Sequence, residues 1–166
     1  MGKRQKQQIT GGGTPATVAL AEAGISFVLH PYTHHDDNTH FGAEAAAATG
    51  QDPRRIFKTL VVDLGGPLVV AVVPVAGQLD LKALAAALEV KRATMAEPGV
   101  AARSSGYVVG GISPIGQRTP LPTVLDDSAE AFETIFVSAG RRGLQVELSP
   151  ADLRAVTGAR SVAVVR

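Results

Sequence analysis

Two short runs of apolar, largely β-branched residues limit most tightly what this chain can fold into. Ile56-Phe57-Lys58-Thr59-Leu60-Val61-Val62 and Leu68 to Val73 flank the segment Asp63-Leu64-Gly65-Gly66-Pro67. The β-branched content argues for strands, and the Gly-Gly-Pro segment argues that the chain turns back between them. Lys58 is the lone charge in the first run. Side chains on a strand alternate faces, so Lys58 shares a face with Ile56, Leu60 and Val62. An ammonium on a core-facing side is costly unless a partner meets it. Lys58 therefore either snorkels at a strand end or sits in a pocket to meet an anion or a polarised carbonyl.

A second candidate is Gly110-Gly111-Ile112-Ser113-Pro114, which follows the strand-like stretch Tyr107-Val108-Val109. Paired glycines let the backbone turn sharply and approach a ligand closely, and Pro114 stiffens the exit. Amides exposed in such a loop can cradle a carbonyl oxygen or another anion. An ordinary turn uses the same residue types.

Along the rest of the chain, Thr14 caps a helix with Pro15 in its first turn and Gly24 at its end. Ser26 to His30 alternates as a strand, and Pro31 to His40 is a polar loop. An alanine-rich helix runs from Phe41 or Gly42 to Thr49. Asp80 caps a helix that gathers Leu81, Leu84, Ala85 and Leu88 on one face. Short strands are expected near Tyr107 and over Leu121–Leu125, Thr134–Val137 and Leu144–Leu148. Ser149 and Asp152 form a capping box for a helix ending at Gly158, and Ser161–Val165 reads as a last strand. Strands cluster with few βαβ alternations, so the fold class is α+β with a mixed, largely antiparallel sheet.

At 166 residues and 45% hydrophobic content, one globular domain over 14–166 is expected behind a flexible basic tail, 1–13, carrying Lys3, Arg4 and Lys6. The chain has no cysteine, which excludes a disulfide framework, a thiolate metal site and a cysteine nucleophile. No apolar run approaches a membrane span, the tail lacks the apolar stretch of a signal peptide, and Lys6 stands where myristoylation needs Ser or Thr. These features point to the cytoplasm. A net charge of +1 and 4% aromatic residues are no nucleic-acid signature, so RNA contacts would be local. Arg141-Arg142, between Gly140 and Gly143, is the best local candidate, with Lys91, Arg92 and Arg118 behind it; a solvated loop is the alternative.

An ordered set of segments now brings recognition. Thr14-Pro15-Ala16, His30-Pro31-Tyr32, Phe41 to Ala46, Phe57-Lys58-Thr59-Leu60, Val73 to Lys82, Gly106 to Gln117 and Ile135 to Leu148 run through the chain at compatible spacing. Together they resemble the YbaK family of bacterial aminoacyl-tRNA deacylases, relatives of the editing domain inserted in prolyl-tRNA synthetases. The resemblance implies a curled, barrel-like sheet flanked by helices. It implies hydrolysis of mischarged Cys-tRNA(Pro), driven by the substrate's own thiol, with tRNA(Pro) and prolyl-tRNA synthetase as partners and neither membrane nor DNA. Alternatives are an Ala- or Ser-tRNA deacylase and a non-catalytic tRNA- or synthetase-binding module. In the resemblance Lys58, Gly110 and Gly111 are catalytic, and Tyr32, Ser113, Pro114, Ser138, Arg141 and Arg142 bind substrate.

Other polar groups weigh against different chemistry. All four histidines lie between His30 and His40 beside Asp36 and Asp37, a weak metal signal because no helix sets their spacing, and no cofactor is expected. Ser138 ends the strand Ile135-Phe136-Val137 without a nearby base or a nucleophile elbow. Asp126 and Asp127 read as a turn, with modest weight for Asp126 from the resemblance. Gln145 is neutral where some relatives are acidic, and Glu147, on the same strand face, is a possible substitute.

Overall fold

The structure, a computed structural model, describes residues 13–166, so the expected tail, apart from Gly13, lies outside the described residues. The chain opens with α1 (Pro15–Glu22), β1 (Val28–Pro31) and α2 (Phe41–Thr49). The Thr14 hydroxyl accepts the Thr17 amide while the Thr17 hydroxyl accepts the Thr14 amide, a reciprocal cap that fixes where α1 begins. Strands β2 (Phe57–Asp63) and β3 (Leu68–Pro74) then pair antiparallel, with Lys58 opposite Val73. Their turn is set by Asp63, whose Oδ1 accepts the Gly65 and Gly66 amides at 2.8 Å each. Those two bonds hold the Asp63 carboxyl below its ordinary range.

Helix α3 (Leu81–Ala87) follows, with Asp80 accepting the Lys82 and Ala83 amides at 3.0 and 3.1 Å. The chain continues through β4 (Thr94–Met95), α4 (Pro98–Ser105), β5 (Thr123–Asp126) and a 3₁₀ turn (Asp127–Ala131). It ends with β6 (Ile135–Arg141), β7 (Leu144–Leu148), α5 (Pro150–Thr157) and β8 (Arg160–Val162). The Ser149 hydroxyl accepts the Asp152 amide at 3.1 Å, as its capping position requires.

The strands form a three-stranded sheet, β1-β7-β6, and a five-stranded sheet, β4-β2-β3-β5-β8. Among the paired strands of the described residues, β3–β5 and β5–β8 run parallel and the other four pairs antiparallel, so the mixed, largely antiparallel α+β reading holds. The sheets do not close into one barrel. They meet at the Ile56–Phe136 bridge, where the Phe136 amide donates to the Arg55 carbonyl at 2.9 Å. One core lies around Leu20, Phe57, Val72, Leu125, Val146 and Leu153, drawing on both sheets with α1 and α5. A second gathers Val62, Ala71, Val73 and Val164 under Leu84 and Ala85 of α3, with Leu81 and Leu88 packed beside them. The anticipated apolar face of α3 is the face that is buried.

One local expectation fails, and one helix comes in addition to those read from the sequence. Tyr107–Val109 is no strand: the Tyr107 ring is buried, its hydroxyl donates to the Ile115 carbonyl at 2.6 Å, and burial pushes its pKa up to about 12. Val108 and Val109 instead stay exposed, at 57% and 38%. The segment 98–105, with Gly99 and two serines, carries weak helix propensity, yet forms α4 with Pro98 in its first turn.

Candidate active site

A cavity of about 510 Å³ draws its walls from both sheets: Lys58 and Thr59 from β2, Ser138 from β6 and Gln145 from β7. Strand β4 pairs with Val62 and Asp63, so among the described residues the Phe57–Leu60 edge of β2 lacks a partner strand on this side and lines the cavity. Lys58 lies on the β2 face of Leu60 and Val62, as alternation requires, but at the end where the second core gives way to the cavity. It is half-buried and has no ion pair or hydrogen bond among the described residues. An ammonium left unpaired beside an apolar core is available to a ligand.

Two further groups in this wall are unspent. Thr59 Oγ1 and Gln145 Oε1 are buried and have no hydrogen-bond partner among the described residues. Gln145 is 7% exposed, so its free carbonyl oxygen is a marked departure from the general satisfaction of buried polar atoms. Tyr32, just past β1, completes this side of the cavity. Burial is the main cause raising its pKa, with the Glu44 charge adding to it and hydrogen bonds involving Gly143 and Gln145 opposing it.

The first turn of α2 forms another wall, through Phe41, Gly42 and Ala43. His40 stands at its N-cap without a side-chain hydrogen bond, leaving the helix's positive end without a side-chain cap. This wall was missed in the sequence, although the lack of Ser, Thr, Asp or Asn before Phe41 was a visible sign. Met95 and Pro98 also line the cavity, brought there by β4 and α4, whose placement no local pattern announces.

Gly110 lines the cavity at φ +89°. Gly111 does not: its amide donates to the Val108 carbonyl at 2.9 Å, and its α-carbon packs where a Cβ would meet the Arg141–Arg142 backbone at 2.8 Å. Its amide is thus spent on closing the turn, and Ile112, which lines the cavity, carries a neighbouring amide with no partner among the described residues. Ser113 and Pro114 are buried behind the loop rather than on the cavity wall. The Ser113 hydroxyl accepts the Ile115 amide at 3.2 Å and its carbonyl accepts Gln117 Nε2 at 3.0 Å, so both groups brace the loop.

Arg141 and Arg142 are exposed at the β6–β7 turn and do not line the cavity. Ser138 does line it, with its hydroxyl accepting the Gly140 amide at 3.1 Å and, among the described residues, no base bonded to it. Glu147 is no substitute for an acidic residue at position 145. Its carboxylate is held by His30 at 2.8 Å, Thr134 at 2.5 Å and Arg55 at 3.4 Å, off the cavity at the seam between the sheets. Burial alone would raise Glu147; the Thr134 and His30 hydrogen bonds and the His30 and Arg55 charges bring it below the ordinary range. Asp126 accepts the Val164 amide at 2.9 Å and the Ser128 amide at 3.2 Å, which makes it an anchor for the C-terminal segment.

The histidine-rich loop is dispersed rather than convergent. His30 pairs with Glu147, and His34 Nδ1 lies 2.6 Å from Glu44 Oε1. Among the described residues no three His, Asp or Glu side chains gather as metal ligands. No helix among the described residues is long and apolar enough to cross a membrane.

Comparison with known proteins gives this cavity a context. The family model of the aminoacyl-tRNA editing domain matches residues 36–156, a span holding Lys58, Gly110, Ser138 and Gln145. EbsC of Enterococcus faecalis, a proposed Cys-tRNA(Pro)/Cys-tRNA(Cys) deacylase, is 37% identical over 160 residues, covering 95% of this chain and 93% of that protein. The crystal structure of a proposed trans-editing enzyme for prolyl-tRNA synthetase superposes with a TM-score of 0.78 at 25% identity, covering 92% of this chain and 95% of the other. A hypothetical protein of known crystal structure superposes with a TM-score of 0.81 at 25% identity, over 92% of this chain and 100% of its own.

Proposed function

The chain belongs to the aminoacyl-tRNA editing domain family, and from that premise we propose that it is a trans-editing deacylase that hydrolyses Cys-tRNA(Pro), with the substrate's thiol as nucleophile. The observation that carries the proposal is the unpaired Lys58 in a cavity whose described walls hold no carboxylate. A conventional hydrolase needs a base within hydrogen-bond reach of its nucleophile. Among the described residues Ser138 has none, and Lys58 and His40 are the cationic or basic side chains in the lining.

In the proposed reaction the cysteinyl sulfur attacks its own ester carbonyl carbon. A carbon–sulfur bond forms, the carbon–oxygen ester bond breaks, and the ribose oxygen of the tRNA 3′ end leaves and takes up the thiol's proton through solvent. The resulting cyclic thioester is opened by water to free cysteine. The protein's task is then to hold the reactive conformer and to stabilise the oxyanion. Lys58 supplies charge, the Gly110 loop supplies an amide donor, and the acceptor oxygens of Gln145 and Thr59 suit the donor groups of an aminoacyl ester. Prolyl-tRNA synthetase as a partner, and action in the cytoplasm, belong to the same proposal.

Deacylation of Cys-, Ala- and Ser-charged tRNA(Pro) tests it. The cysteine ester should be cleaved far faster than either other ester, because alanine is smaller and serine nearly isosteric, so shape alone cannot exclude them. Equal rates on Cys- and Ala-tRNA(Pro), or an acyl group trapped on Ser138, would overturn the thiol route in favour of a conventional hydrolase. Binding without turnover of any of the three would leave only a tRNA-binding module.

A further inference from the structure

The loop that carries Gly110 is weakly secured. Besides the Gly111-to-Val108 turn bond, a single hydrogen bond among the described residues ties residues 108–112 to another element: Arg142 Nε donates to the Val109 carbonyl at 2.8 Å. The same guanidinium lies over the Phe41 ring, with Cζ 5.1 Å from its centroid. Phe41 in turn packs against Gly110 so closely that an added Cβ there would sit 2.6 to 2.7 Å from three ring carbons. Phe41 also opens α2, whose Glu44 accepts from the His34 ring and from the His35 amide at 2.9 Å. Next to Arg142, the Gly143 carbonyl accepts the Tyr32 amide at 2.9 Å. The β6–β7 turn therefore joins the cavity's Tyr32 side to its Gly110 side, and Arg142 is the side chain that makes the second connection.

Resting on the deacylase reading, we propose that Arg142 is a positioning residue that holds the 108–112 loop and the first turn of α2 together, so that Gly110 is presented to the reacting ester, and is not a contact for tRNA phosphates. An arginine that reads phosphate acts through charge, and its loss weakens binding and flattens salt dependence. An arginine that braces a loop acts through the Nε–H and the planar stack, and its loss changes turnover instead.

The test compares Arg142→Ala, Arg142→Gln and Arg142→Lys on Cys-tRNA(Pro) and on cysteinyl-adenosine, an ester with no phosphate. Arg142→Ala is expected to lower kcat about 10- to 100-fold on both substrates, leaving KM and the salt dependence of kcat/KM unchanged. Hydrogen exchange across residues 107–113 should quicken roughly fivefold or more in the same variant. Arg142→Gln, whose amide can still donate to the Val109 carbonyl, should recover part of the rate despite losing the charge. A defect confined to the tRNA substrate, restored by Lys but not by Gln, with unchanged loop exchange, would overturn the proposal in favour of a phosphate contact. Should the parent protein cleave neither substrate, the deacylase reading fails by itself, and the exchange measurement still decides whether Arg142 braces the loop.

Discussion

Gly110→Ala isolates the loop from the rest of the fold. The new residue would have to adopt φ +89°, a region that costs an L-residue roughly 1–2 kcal/mol. Its Cβ would also lie 2.6 to 2.7 Å from Cε1, Cδ1 and Cζ of Phe41, and relieving such overpacking typically costs ~1–3 kcal/mol. Against this combined strain, the loop's tie to another element is the Arg142 hydrogen bond, worth only about 1 kcal/mol net. Displacing the loop is thus cheaper than disturbing either core. The melting temperature should fall by no more than about 2–4 °C, the shift that 1 kcal/mol produces in a domain of this size. Turnover should fall far more, since misplacing one oxyanion donor costs about 10²–10³ in kcat. Steady-state deacylation of Cys-tRNA(Pro) beside a thermal melt reads both quantities. Turnover within twofold of the parent, or a rate loss that matches the fraction unfolded, would refute the reasoning and reduce the loop to a turn.

Lys58→Met should abolish deacylation while leaving the melting temperature unchanged or slightly higher, because the ammonium it removes has no partner to strand; normal activity in the folded variant would remove Lys58 from the site. Acidification should weaken the fold through Glu44 and Glu147. Glu44 is held low chiefly by its His34 hydrogen bond, and Glu147 ends low despite its burial. A carboxyl whose folded pKa is depressed contributes stability above its unfolded value, about 4.3 for Glu, and loses it as pH falls through the lower folded value. Melting followed from pH 6 to pH 3 should therefore show a smaller acid-side drop in Glu44→Gln than in the parent, and an unchanged drop would refute that role.

The elements that could be read from sequence are those specified by residues close together in the chain. Thr14, Asp80 and Ser149 each satisfy amides two or three positions on, and Asp63 does the same for its turn, so local chemistry alone fixes these boundaries. Lys58 was legible because a single charge in a strand breaks a period-two pattern. Tyr107–Val109 misled because β-branched residues beside an aromatic favour a strand only where partners exist, and here the Tyr107 hydroxyl is drawn to Ile115 instead. The resemblance implies catalysis for Gly111 and substrate binding for Ser113, Pro114 and Arg142, yet the turn bond, the Ile115 amide and the Val109 carbonyl claim three of them for bracing. Which member of a glycine-rich loop faces a ligand depends on how each amide and hydroxyl is used, by short turn bonds within the loop and by the distant Arg142 guanidinium, and residue types alone do not encode that.

The distribution of charge about the cavity bears on why Gln145 is neutral. The described lining contains Lys58 and the α2 terminus without a side-chain cap, but neither Asp nor Glu. A carboxylate in place of Gln145 would add a negative charge to the cavity that holds Lys58, and an anion sharing a site with an ammonium draws off the potential a substrate would otherwise feel. In the proposed reaction, an amide at that position would leave the positive potential of Lys58 for charge that appears on the ester oxygen, whereas the α2 terminus already carries Glu44 in its first turn. The amide keeps a carbonyl oxygen with no partner, so it can still accept a hydrogen bond from a substrate donor. In the proposed reaction the neutral residue would separate two tasks that one carboxylate would set against each other: orientation would fall to a hydrogen-bond acceptor, and stabilisation of the developing oxyanion to the Lys58 ammonium, which has no ion pair among the described residues.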